Sequence, residues 1–234
     1  AELNPLPADN KILVIWTLGK RADAGALPAL FALAKKGEKT VRLEAVQALP
    51  QIPDASAVPV LVELMGDADA QISQAAQDGL AALPGQGADD AITAMLEGRQ
   101  TDQRLTALDL MGRRRMTKSI PALLKAAGDA DAKVRPAAIR KVGELGGPDE
   151  LPALLDVLMR LKDSQDLEAT ERALSAVCTK TDNPQAHAGK LIGLLAKAQP
   201  AQKAVLLRVL GVVGGPDALK AVRAAVDDSD AQVR

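Results

Sequence analysis

Apolar residues recur along this chain at the helical spacing i, i+3, i+4, i+7, and the same arrangement returns at a fixed interval. Leu27, Leu30, Phe31, Leu33 and Ala34 make one such face. Val58, Leu61, Val62, Leu64 and Met65 make a second, and Ile120, Leu123, Leu124, Ala126 and Ala127 a third. With the proline near the start of each segment as anchor, equivalent positions are Pro28, Pro59, Asp90, Pro121, Pro152, Gly189 and Lys220, separated by 31, 31, 31, 31, 37 and 31 residues. Proline suits the first turn of a helix, where its missing N–H is not needed. A second periodic segment precedes each anchor, at 10–20, 41–49, 72–83, 103–112, 134–145, 171–180 and 202–213. Each period therefore holds two helices, A then B. A period of this size marks an array in which each pair covers the apolar face of its neighbour.

The turns repeat as well. Gly146-Gly147-Pro148-Asp149 returns unchanged as Gly214-Gly215-Pro216-Asp217 between an A and a B segment. Glycine ends a helix and proline prevents its continuation. Between B and A segments runs a column of acids and amides: Glu38, Asp69, Gln100, Asp131, Glu168, Gln199 and Asp230. Aspartate there is placed to cap the coming helix. Four residues on stands a mostly basic column: Lys11, Arg42, Ser73, Arg104, Arg135, Arg172, Lys203 and Arg234. The two columns keep register. They predict an internal ladder through Arg42, Asp69, Arg104, Asp131, Arg135, Arg172 and Asp230, rather than a row of bases for a polyanion. The single 37-residue step carries six extra residues within Leu161 to Leu167. They are expected to lengthen the B helix or its turn near Arg160, and such insertions fall on one face, often the binding face.

A proline-anchored helix pair with aspartate in the turn and Val-Arg opening the next helix resembles the HEAT repeat. Asp69 to Ile72, Asp131-Ala132-Lys133-Val134-Arg135 and Asp230-Ala231-Gln232-Val233-Arg234 carry the resemblance, which extends over about residues 8 to 234. The period is shorter than the usual 40 to 47 residues, and is similar to the short HEAT-like class of phycobilin lyases. The resemblance implies an all-α, right-handed α-α superhelix of about seven pairs in one domain. The pairs fall near 10–36, 41–66, 72–97, 103–128, 134–162, 171–198 and 202–227. It implies protein binding in most members and catalysis in few.

Composition narrows the chemistry. Hydrophobic residues make up 47% of the 234 but aromatics only 1%, so the core is expected to be aliphatic. A net charge of −1 gives no general drive towards nucleic acid or an anionic membrane. No apolar run approaches the roughly 20 residues of a membrane span. Cys178 stands alone, which excludes an internal disulfide. It is expected to be a small packed side chain. His187, the single histidine, is expected in a solvated turn, with no cluster of ligands for a metal. Trp16, in the apolar run Ile12 to Leu18, is expected in a terminal core. The chain starts Ala1-Glu2-Leu3-Asn4-Pro5 and stops at Val233-Arg234, which suggests a piece of a longer polypeptide.

The expected function is a non-catalytic scaffold or spacer, monomeric and without a cofactor. It presents a concave B-helix surface to a protein or peptide. The outward positions of that surface are mostly small, as at Ala29, Val60, Ala122 and Ala153, and its polar candidates for contact are Glu63, Lys125, Asp156 and Arg160. Two other readings differ in kind. One is a HEAT-like enzyme of lyase type, which a bound pigment or metal would reveal. The other is nucleic-acid binding through the basic turn Arg113 to Lys118. Acids in the neighbouring turns blunt that charge, and no aromatic lies near to stack a base.

Overall fold

The computed structural model describes residues 6–234, so the opening residues Ala1 to Pro5 lie outside it. The described residues fold into fourteen α-helices and no strand. They form two compact units, the first running to Met95 and the second from Leu96 to Arg234.

In the first unit, helices α1 (Ala8–Lys20), α3 (Lys39–Ala48) and α5 (Ala70–Ala82) fall on A segments. Helices α2 (Leu27–Lys35) and α4 (Ala57–Leu64) fall on B segments, and α6 (Gln86–Leu96) runs to the unit's end. The A helices pack on one another in chain order, α1 on α3 and α3 on α5, while α2 and α4 pack on the A helices that follow them. The core between these layers is aliphatic, with Leu30, Leu49, Leu61, Ile72 and Leu80 fully buried.

The second unit repeats the scheme with α7 (Thr101–Arg113), α8 (Ile120–Ala126), α9 (Val134–Leu145), α10 (Leu151–Leu158), α11 (Ser164–Thr179), α12 (Ala188–Leu195), α13 (Pro200–Val213) and α14 (Pro216–Ala225). The tightest seam joins α9 to α11. Gly143 makes it possible, since a Cβ there would lie 2.6 Å from the Ala173 backbone. Lys180, at the end of α11, donates to the carbonyls of Gly143, Glu144 and Gly146, each at 2.8 Å, and so closes the C-terminus of α9.

Several expectations need correction. Most A helices start about two residues earlier than the apolar pattern suggests, because polar first-turn residues carry no periodic signal. The six-residue insertion lengthens the A helix α11, not the B helix: Asp163 caps it by accepting from Gln165 N and Asp166 N, and α11 runs for 16 residues. Val60 is buried rather than outward, and Trp16 is half exposed rather than core. Lys20 lies 5.8 Å above the Trp16 ring.

Candidate functional site

The two charged columns meet in the turns between B and A helices. In three of these turns two aspartates stand two residues apart. The first accepts from the second's backbone N–H, at 2.9 Å for Asp67 and Asp69, 2.8 Å for Asp129 and Asp131, and 2.9 Å for Asp228 and Asp230. The second aspartate then receives the N–H two residues further on. The base of the preceding repeat reaches the first aspartate. Arg42 pairs with Asp67, Arg104 Nη1 with both oxygens of Asp129, and Lys203 with Asp228 at 2.7 Å. The sequence suggested the second acid, and that choice is wrong in emphasis. Asp69 takes Lys39 instead, and Asp131 takes Thr101 with Arg104 further off at 3.5 Å.

The bases also satisfy the carbonyls that end the B helices. Arg42 Nε donates to Ala34 O, and Arg135 Nη1 to Asp129 O and Ala130 O. Ser73, which stands in the basic column, donates to Met65 O instead. These contacts hold the aspartates ionised. The pKa of Asp67 is lowered by the Asp69 N–H and by Arg42, that of Asp131 by Thr101, and that of Asp228 by Lys203. Arg172 breaks the pattern: it pairs with Glu168 on its own helix, both exposed, because the insertion has drawn Glu168 inside α11. Arg135 pairs instead with Asp166, a residue of that insertion, at 2.7 Å.

On the B side, two of the four contact candidates have partners. Glu63 pairs with Lys35 and Lys125 with Glu97 at 3.1 Å, all four well exposed, so each bridges neighbouring repeats. Asp156 and Arg160 are exposed on α10 and just beyond it. Between the C-terminal ends of α8 and α10 lies a pocket of about 700 Å³, lined by Leu124, Lys125, Arg135, Val157, Arg160, Lys162, Asp163 and Asp166 among others. A smaller one of about 370 Å³ adjoins it, sharing Lys125 and Gly128 and bounded by Glu97, Arg104 and Asp129. The structure thus gathers Lys125 and Arg160 at one place, and leaves Glu63 and Asp156 out of it.

The remaining candidates are set apart. Among Arg113, Arg114, Arg115 and Lys118, the first two engage other groups of the chain, and Arg115 adopts a positive φ of 55° that closes α7. Cys178 is fully buried, and burial pushes its thiol up to about 11. His187 is half-buried rather than solvated, and its Nε2 has no partner among the described residues. Among those residues no three His, Cys, Asp or Glu side chains cluster as metal ligands, and no helix is long and apolar enough to cross a membrane.

This interlocking of proline-anchored pairs agrees with comparison to known families, where a profile of HEAT repeats matches residues 3–81 and 88–177. The chain belongs to the HEAT-repeat family. No curated protein matches it. Among solved structures, this HEAT chain is similar to the phycocyanin lyase complex of CpcE and CpcF from Nostoc sp. PCC7120. That likeness is 22% identical over 91% of this chain and 86% of that one, with a TM-score of 0.38. An engineered protein is 18% identical over 90% and 66%, with a TM-score of 0.43. Human deoxyhypusine hydroxylase in complex with glycerol is 19% identical over 97% and 76%, with a TM-score of 0.39. These likenesses carry no part of the functional reading.

Sequence reasoning missed Asp67, Asp129 and Asp228, although the doubled aspartates in Gly66-Asp67-Ala68-Asp69 and Gly128-Asp129-Ala130-Asp131 announced them. It also missed Asp166, Lys180 and Lys162. Asp166 and Lys162 lie in the insertion, where no repeat supplies an equivalent to compare.

Proposed function

We propose that this HEAT-repeat chain is a non-catalytic, monomeric scaffold that binds a protein or peptide along the C-terminal ends of its B helices. One observation supports it above the others: the pocket between the ends of α8 and α10, built by the only irregular repeat step in the chain. At regular steps, charged turn residues such as Asp67, Asp129 and Asp228 are taken up by Arg42, Arg104 and Lys203. At the irregular step, exposed side chains remain for a partner. The reactive groups an enzyme would recruit are poorly placed for it. Cys178 is fully buried with its thiol pushed up to about 11, so it is a weak nucleophile at neutral pH.

Site-directed photocrosslinking tests the reading. A photoreactive residue in place of Lys125 or Arg160 is expected to capture a discrete polypeptide from an extract of the source organism. The same residue in place of Gln74 on α5, away from these ends, is expected to capture none. Equal capture at all three positions, or none at any, contradicts the proposal. A single mass in size-exclusion chromatography with light scattering, equal to one 24.3 kDa chain, checks the monomer.

A further inference from the structure

The pocket at the insertion has a charge balance unlike that of the whole chain. Its lining holds four basic residues, Lys125, Arg135, Arg160 and Lys162, against two acids, Asp163 and Asp166. The whole chain carries −1. Both acids are already engaged. Asp163 caps α11, accepting from Gln165 N at 2.9 Å and Asp166 N at 3.3 Å. Asp166, 1% exposed, accepts from Arg135 Nε at 2.7 Å. Its other oxygen is buried and accepts nothing among the described residues, and it does not reach the pocket's solvent. The bases are less engaged. Lys125 has only the exposed Glu97. Arg160 and Lys162 are exposed and, among the described residues, have no acidic partner.

The wall that carries Arg160 and Lys162 is fixed in advance. Gln202, buried at 4% exposure on α13, donates to Met159 O at 3.2 Å and Leu161 O at 3.0 Å. The Asp163 cap holds the next two residues. Arg135, also in the lining, is pinned by Asp166 and by the carbonyls of Asp129 and Ala130. Leu124, Ala127, Val157 and Leu161 add apolar lining to the pocket. A preformed pocket of this size, with apolar and basic lining, loses little freedom when a ligand binds.

We infer that this pocket receives an acidic segment of the partner polypeptide, with one of its carboxylates held between Arg160 and Lys162 and its aliphatic stem on Leu124 and Val157. This rests on the scaffold reading and narrows it to one partner chemistry. Arginine and lysine placed together take a carboxylate through charge-assisted hydrogen bonds. The six inserted residues supply Lys162, Asp163 and Asp166, so the irregular step in the array is the one that makes the site.

Isothermal titration of the whole chain with a hexaglutamate peptide tests the assignment. Hexaglutamine, a phosphoserine peptide and inorganic phosphate serve as comparison ligands. Hexaglutamate is expected to bind, more weakly as salt rises, and hexaglutamine is not. Arg160→Glu with Lys162→Glu is expected to weaken hexaglutamate at least about tenfold, with an unchanged circular dichroism spectrum. Arg115→Glu with Lys118→Glu, outside the pocket, is expected to leave it within about twofold. If hexaglutamate does not bind, or binds the pocket variant equally well, the inference fails while partner capture at positions 125 and 160 still supports the scaffold. Tighter binding of phosphoserine peptide or phosphate than of hexaglutamate overturns the carboxylate assignment in favour of a phosphate site. If the pocket variant loses helicity, Arg160→Gln with Lys162→Gln is titrated instead, with the same two outcomes.

Discussion

Glycine has opposite consequences at different places in these helices. At Gly143 the backbones of α9 and α11 meet so closely that any Cβ must push against Ala173. Gly143→Ala is expected to destabilise by about 1–3 kcal/mol through overpacking, although alanine is the better helix former. Gly211 on α13 has no neighbour within 4 Å of an added Cβ. Gly211→Ala is therefore expected to stabilise by about 0.5–1 kcal/mol, since only the helix term remains. Urea unfolding of both variants checks the contrast, and the same sign for both would refute it. Cys178 gives a second prediction at this scale. With its thiol buried and its pKa near 11, it should not react with a disulfide reagent at pH 8 until the protein is unfolded. Neither glycine could be told from the other in sequence, since both sit in helical periods and only the neighbouring helix separates them.

At the scale of the element, the B-to-A turn is the working unit. Its two aspartates do different work: the second caps the coming helix, and the first takes the base of the preceding repeat. Asp67, Asp69, Asp131 and Asp228 all have lowered pKa values in the folded chain. A depressed folded pKa adds stability above the unfolded value, here 3.8, and that contribution disappears as pH falls through the folded values. Stability to urea is thus expected to be flat from pH 7 to about pH 5 and to drop below pH 4. A further outcome follows from the different roles. Asp67→Asn, which weakens the pairing with Arg42, is expected to shrink the acid-dependent part more than Glu168→Gln, whose ion pair is exposed. Equal acid profiles for the two would count against the ladder. The helices and their pairing were legible because burial imposes a 3.6-residue period that survives substitution. The partner choice of Arg42 and Arg104 was not, since two acids at adjacent reach differ only in how the turn aims them. The direction in which the insertion grows was also hidden, because Asp163 reads as a loop residue until its cap is seen.

At the scale of the whole molecule, repetition determines how stability is distributed. Within each unit the helix pairs cover their neighbours, so stability there approximates a sum of repeat terms and nearest-neighbour terms. Leu13 and Trp16 on α1, Leu219 on α14 and Val226 just after it are large apolar side chains left exposed. With fewer buried apolar contacts, α1 and α14 should open at lower cost than the seam of α9 and α11. The same repetition limits what composition can reveal about function. Bases at the regular steps pair with acids of a neighbouring turn, as Arg42, Arg104 and Lys203 do, and the proposed partner site falls at the single step of 37 residues. Native-state hydrogen exchange in low denaturant, followed by mass spectrometry, tests the repeat account most directly. Arg135→Met, which leaves Asp166 buried without its cation, is the informative variant. The account predicts that α9 and α11 lose protection in this variant by about 3–5 kcal/mol, while α1 to α3 exchange as in the unsubstituted chain. Loss of protection by the same amount in every helix would contradict it.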